Sequence, residues 1–130
     1  MSEETQTNSL PPSPKLSEGA ASFQSNFHRN IVDEVANTVN SNPVVIVGMA
    51  TNGYVKRARE ALDGQKVAFK YLEYGGYLSM WQERLAIKMW SGWPTFPQVF
   101  VNGALIGGKD ELQKAIDDGS LAKMLETKDN

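Results

Sequence analysis

A small mixed β-sheet with helices on both faces is the α/β fold this sequence predicts, and three observations predict it. Residues 43–49, PVVIVGM, are apolar at every position, as a central strand covered on both sides would be. One helix-period segment separates that run from a second apolar run, KVAFKYLEY, and a strand–helix–strand unit of this length implies a parallel pair with a right-handed crossover. Farther on, PQVFVNGALIGG sets Asn102-Gly103 between two short apolar runs, the strongest local hairpin signal in the chain.

Each element has its own justification. Residues 1 to 24 are rich in Ser, Pro, Glu, Thr and Gln and hold few large apolar groups; ordering them buries too little to offset the entropy cost, so a disordered tail is expected there, with the folded domain over 25–130. Phe27, Ile31, Val35 and Val39 recur every four residues, which predicts a first helix ending before Asn42-Pro43. Val55, Ala58 and Leu62 predict a second helix, stopped at Asp63-Gly64. Leu78, Trp81, Leu85 and Met89 predict a third with Trp81 turned into the core, a face that Trp90 and Trp93 need not share, closed by Gly92 and Pro94. Two short helices from Asp110 and Ser120 complete the chain. A βαβ unit joined through a helix to a ββα unit is the thioredoxin-like arrangement, with a four-stranded mixed sheet.

At 130 residues the chain is long enough for one core without crosslinks. It has no cysteine, which excludes disulfides, thiolate catalysis and cysteine-ligated zinc or iron–sulfur sites for the chain acting alone. A net charge of −2, with basic residues scattered among acids, gives no field to gather nucleic acid or anionic lipid, so neither nucleic acid nor membrane is expected as a partner. The longest apolar run is far too short to span a bilayer, and the acidic N-terminus lacks the features of a targeting leader; a cytoplasmic location is the expectation.

The spelling of one stretch goes beyond pattern. WPTFPQVFVNGALIGGKDEL, Trp93 to Leu112, resembles the C-terminal half of glutaredoxins, most closely the monothiol type, with its Trp-Pro-Thr stretch, cis-proline and Gly-Gly-x-Asp turn. The similarity runs from about residue 27 to 126. It implies a glutaredoxin fold and a glutathione site at Arg84, Thr95, Phe96, Pro97, Gly108, Lys109 and Asp110. Phe96, before the cis-proline, would pair its main chain with the cysteinyl residue of glutathione as an added strand. Amides at the helix start would hold the γ-glutamyl carboxylate, with Asp110 on the ammonium. Arg84 and Lys88 match basic positions, the arginine serving the glycine carboxylate.

Two departures shape the expected function. Asn52-Gly53-Tyr54-Val55 falls where monothiol members carry Cys-Gly-Phe-Ser, so an amide stands at the nucleophile's place and no mixed disulfide can form. Thr51 has no base to activate it, since the single histidine, His28, belongs to a separate helix start, and Asp117-Asp118 reads as a polar helix end. The family's lysine before the cysteine is also missing, because Gly48, Met49 and Ala50 lie there. Losing one hydrogen bond to a charged group costs about 1.5–3 kcal/mol, so glutathione binding should be weak.

The reading is therefore a non-catalytic, glutaredoxin-like module binding glutathione or an extended peptide, with no metal or iron–sulfur cluster. A second reading is an interaction module with a vestigial groove, docking a protein through the Trp90/Trp93 region, where YGGYLSMW is about three residues longer than in the family. A third keeps the family's thiol–disulfide or iron–sulfur chemistry by borrowing a partner thiol.

Overall fold

The structure, a computed structural model, describes residues 10–126. Its elements are α1 (Glu18–Asn26), α2 (Arg29–Ser41), β1 (Val44–Gly48), α3 (Gly53–Gly64), β2 (Lys70–Glu73), α4 (Trp81–Ser91), β3 (Gln98–Val101), β4 (Ala104–Gly107), α5 (Lys109–Asp117) and α6 (Ser120–Glu126). The four strands form one sheet in the order β2-β1-β3-β4. β1 runs parallel to β2, with Val45 opposite Lys70, and antiparallel to β3, with Ile46 opposite Val99. β3 and β4 are the expected hairpin, turning through Asn102 and Gly103, both at positive φ.

Alternation along β1 divides the core. Val45 and Val47 face one side, where Val35 and Val39 of α2, Ile87 of α4 and Phe100 pack with them. Val44 and Ile46 face the other, against Ala58 and Leu62 of α3, Val99, Val101, Leu112 and Ala115 of α5, and Leu121 of α6. All five β1 residues are buried, which is why the strand reads as a continuous apolar run and not as an alternating one. Burying a side chain such as Ile46 contributes about 1.5–3 kcal/mol relative to leaving it exposed.

Three expectations meet a different structure. Strand β2 is shorter than residues 66–74: Lys66 takes a left-handed φ of 57° as the chain leaves α3, and pairing with β1 begins only at Lys70. Residues 18–24, assigned by composition to the tail, belong to α1, whose Ser17 Oγ accepts the N–H of Ala20 at 3.1 Å. That helix buries none of its side chains, and its order comes from the local cap and from the Phe23–Phe27 ring contact at 5.5 Å. Residues 1–9 of the expected tail lie outside the described residues.

The third difference concerns α4. Its predicted stripe turns outward: Leu78 is 99% exposed, Trp81 61%, Leu85 41% and Met89 45%. Arg84, Ala86 and Ile87 face inward instead. Trp81 is therefore not a core residue. The chain from Gly75 to Met80 is a loop, Met80 enters the helix at a φ of 57°, and the inward position nearest that loop is taken by a guanidinium that satisfies its carbonyls.

Candidate functional site

The C-terminal end of β1, the start of α3, the loop before α4 and the corner before β3 converge on one apolar cluster containing Met49, Val55, Tyr74, Ile87 and Phe96. Around its rim lie most of the residues that the sequence marks out.

Asn52 is the N-cap of α3. Its Oδ1 accepts the N–H of Tyr54 at 2.9 Å and of Val55 at 3.0 Å, satisfying two of the amides a helix start leaves open. The carboxamide does here what asparagine does well at helix ends, and sequence reading that saw only a missing thiol overlooked that signal. Its Nδ2 donates a long hydrogen bond, 3.4 Å, to the Tyr77 hydroxyl, which ties the loop before α4 to the start of α3. Thr51 precedes the cap at a φ of 58°. His28 does not reach it: the imidazole stands edge-on to Phe27 at 4.7 Å and lies 4.0 Å from the Glu83 carboxylate.

Arg84 is 7% exposed, and its Nη1 donates to the carbonyls of Tyr74 at 2.8 Å and Ser79 at 2.7 Å. One buried cation thus holds both feet of the loop that carries Gly75, Gly76, Tyr77 and Leu78. Within the loop, Gly76 N–H donates to Ser79 Oγ at 3.1 Å, and Gly75 takes a φ of 68° where an added Cβ would meet the Ser79 carbonyl at 2.6 Å. The Ala50 N–H donates to the Gly75 carbonyl at 2.7 Å. Lys88, the second basic position, places its Nζ 5.7 Å from the centre of the Phe96 ring.

In the corner before β3, the Phe96–Pro97 bond is cis. Among the described residues no hydrogen bond is made to the main-chain N–H or carbonyl of Phe96. Gln98, fully buried, donates through Nε2 to the carbonyls of Trp93 at 3.0 Å and Thr95 at 3.4 Å, fixing the approach to the corner. Thr95 is exposed and Phe96 buried. Pro97 and Gly108 are neighbours: a Cβ on Gly108 would lie 3.4 Å from the Pro97 carbonyl.

Gly108 caps α5, and its N–H donates to Glu111 Oε1 at 3.0 Å. Gly107, at a φ of 128°, makes room for that side chain, since a Cβ there would lie 2.6 Å from Glu111 Cγ. Glu111 was missed at the sequence level, although an acid at the third helical position is a known reciprocal-cap signature. Lys109 and Asp110 follow in the first turn, and no described residue accepts their main-chain N–H groups. The structure therefore gathers Asn52, Phe96, Pro97, Gly108, Lys109 and Asp110 on elements that meet at one end of the sheet, while the Arg84 Nη1 is engaged by the loop.

Two phenols nearby are held neutral. Burial, then the hydrogen bond to Glu34 at 2.6 Å, pushes the Tyr74 pKa far up, and burial with a bond to Glu73 at 2.8 Å does the same for Tyr71. Asp118 is held below the usual carboxylate value by the Ser120 amide that it caps at 2.8 Å, so it serves as a helix-end residue. No group of three or more His, Asp or Glu side chains placed to hold a metal occurs among the described residues. No helix among them is long and apolar enough to cross a membrane.

The comparisons with known proteins agree on a single family. The glutaredoxin family model matches residues 44–106. A glutaredoxin-like protein of Dictyostelium discoideum is 47% identical over 114 residues, covering 88% of this chain and 93% of its own. Glutaredoxin 4 of Haemophilus influenzae is 32% identical over 99 residues, covering 72% of this chain and 90% of its own. Among solved structures, a mutated buckwheat glutaredoxin superposes with a TM-score of 0.70 at 27% identity, over 78% of this chain and 93% of that one. A buckwheat glutaredoxin–glutathione complex superposes with a TM-score of 0.67, also at 27% identity, over 78% and 92%. With its thioredoxin-like sheet, its cis-proline corner and a relative 47% identical over 88% of its length, the chain belongs to the glutaredoxin family, as a member without cysteine.

Proposed function

We propose that this chain is a redox-silent glutaredoxin-like module whose groove recognises an extended main chain, that of glutathione or of a peptide. The observation that carries this reading is the division of labour at the site. Asn52 closes the α3 start as a cap in the nucleophile's position, while the cis corner leaves the Phe96 main chain open for pairing. Thiol–disulfide exchange needs a thiolate, and a carboxamide supplies none. Main-chain pairing needs only an N–H and a carbonyl at strand spacing.

In this role Phe96 pairs with the ligand's central residue, and Pro97 and Gly108 form the floor beside it. The free amides of Lys109 and Asp110 face an anionic end, with the Asp110 carboxylate for an ammonium. The glutathione complex of the buckwheat relative supports the choice of ligand class. Lys88 remains as the cation near Phe96, because the Arg84 Nη1 is engaged with Tyr74 and Ser79. Without the family's lysine, affinity for glutathione should fall about ten- to a hundredfold below that of a site carrying it. An iron–sulfur cluster does not fit the residues present, since the chain offers no thiolate to bind it.

Titrating the labelled protein with glutathione tests the reading. Saturable millimolar shifts at Phe96, Lys109 and Asp110, together with no glutathione-dependent disulfide reduction above the buffer rate, are expected. Turnover by the purified chain would overturn it, reviving a borrowed-thiol enzyme.

The exposed aromatics favour a second reading, an interaction module with an unused groove. Trp81 and Tyr77 reach solvent more fully than Trp90, which stacks on Phe100 at 5.9 Å, or Trp93, which is half-buried. A partner lost on Trp81→Ala while Phe96-side variants still bind would select this reading.

A further inference from the structure

We propose that a second site, on the β2 side of Asn52, binds a small organic oxyanion, a carboxylate or a phosphate ester carried on an apolar body. The sheet order sets this site apart from the groove. β1 lies between β2 and β3, so the cavity lined by β2 and the cis corner before β3 flank the end of β1 from opposite sides. The cavity holds about 410 Å³. Met49 and Val55, both buried, and the Tyr71 ring supply its apolar lining, and Asn52 borders it through the residue that caps α3.

Two cations line this cavity without an acid to pair with. Lys56 and Arg59 are three residues apart on α3 and so share a face. Glu60 stands four residues after Lys56, and Asp63 four after Arg59, the spacing at which a helix pairs opposite charges. Among the described residues neither pair forms. The Arg59 guanidinium instead lies over the Tyr71 ring, 3.9 Å from its centre, and the Tyr71 hydroxyl donates to Glu73 at 2.8 Å. A guanidinium held flat on an aromatic ring is ordered before a ligand arrives, and its in-plane N–H fork stays free for an oxyanion. The Thr51 hydroxyl, on the same cavity, makes no hydrogen bond among the described residues. Glu73 also lines the space, so two positive charges meet one negative; the surplus suits one compact anion and gives little to a polyanion. The apolar lining decides what carries that anion. Cavities of about 300–1,000 Å³ take small organic molecules, with a few polar groups fixing their orientation, whereas a bare inorganic ion would leave most of this volume to water.

The test is a set of parallel titrations of the isotope-labelled full chain with phenyl phosphate, benzoate and benzyl alcohol. The two anions should shift the amides of Thr51, Gly53 and Lys56 saturably, with a dissociation constant of about 1 mM or lower, and the tighter of the two names the head group. Benzyl alcohol, with the same ring and no charge, should bind at least about tenfold more weakly. Lys56→Gln and Arg59→Gln, both at exposed positions, should each weaken the anions about tenfold. Lys123→Gln, an equal change of net charge at an exposed position on α6, should leave them unchanged. Equal losses in all three variants, equal binding of the alcohol, or no shift beside Asn52 at millimolar anion would overturn the proposal. Glutathione shifts at Phe96 and Asp110, measured on the same samples, report on the groove, so either reading can fail without the other.

Discussion

The side-chain oxygen of Asn52 lies 3.0 Å from the main-chain nitrogen of Val55 and 2.9 Å from that of Tyr54, so the residue at the nucleophile's place stabilises the helix that a nucleophile would exploit. Removing the carboxamide reopens two amides at the start of α3. Asn52→Ala should therefore cost about 0.5–2 kcal/mol in a urea melt. Asn52→Cys should lose part of the same cap and gain reactivity, because a helix start favours a thiolate over a thiol. Its alkylation rate should reach half-maximum below the ordinary cysteine pKa of about 8.5. A rate following that ordinary value would mean that the α3 start no longer supports a thiolate.

The same position shows what a sequence gives up easily and what it withholds. β1 was legible because burial on both faces leaves every residue apolar, and the hairpin because Asn102 and Gly103 accept positive φ at low cost. The WPTFP and GG turns stood out through their resemblance to glutaredoxins, and the structure has a cis bond and a helix start there. The orientation of α4 was not legible. A stripe of Leu78, Trp81, Leu85 and Met89 says that one face of a helix is apolar, not that anything covers it. Arg84 reads as a solvated base until the carbonyls of Tyr74 and Ser79, ten and five residues away, are brought around it by the loop. α1 was hidden by averaging, since its Ser17 cap is one residue in a polar composition.

Arg84 should behave as a structural residue before it behaves as a ligand. Arg84→Met keeps much of the stem's packing but strands two carbonyls, and hydrogen bonds to a charged donor are worth about 1.5–3 kcal/mol each before relaxation and water entry. A destabilisation of about 2–4 kcal/mol is expected, with the largest amide shifts from Tyr74 to Met80. Unchanged stability with a selective loss of glutathione binding would return Arg84 to the groove.

Alkaline pH should loosen the foot of the same loop. The Tyr74 phenol has its folded pKa raised above the ordinary value of 10.0, mainly by burial and then by its bond to Glu34. Such a group contributes stability that is whole below pH 10 and is lost as pH climbs from there toward the folded value, because the unfolded chain ionises first. The denaturation midpoint should fall between pH 9 and pH 11. Tyr74→Phe should be less stable at neutral pH by about 0.5–1.5 kcal/mol, through loss of the Glu34 bond, and should decline less steeply above pH 10. Tyr71, raised in the same direction, leaves the variant a residual slope. Equal slopes in the two proteins would show that Tyr74 is not the titrating group.

The orientation of α4 can be read from three truncations. Ile87 is fully buried against the sheet, whereas Trp81 and Leu85 lie on the outer face. Ile87→Ala should cost about 2–5 kcal/mol, the usual penalty for emptying a buried aliphatic position. Trp81→Ala and Leu85→Ala should each stay within about 0.5–1 kcal/mol of the parent despite removing more or comparable apolar volume, because solvent fills the space that they leave. The contrast separates volume from burial. If Trp81→Ala proved as damaging as Ile87→Ala, the apolar stripe would have to face the core as its spacing suggests, and the exposed aromatic surface would go with it.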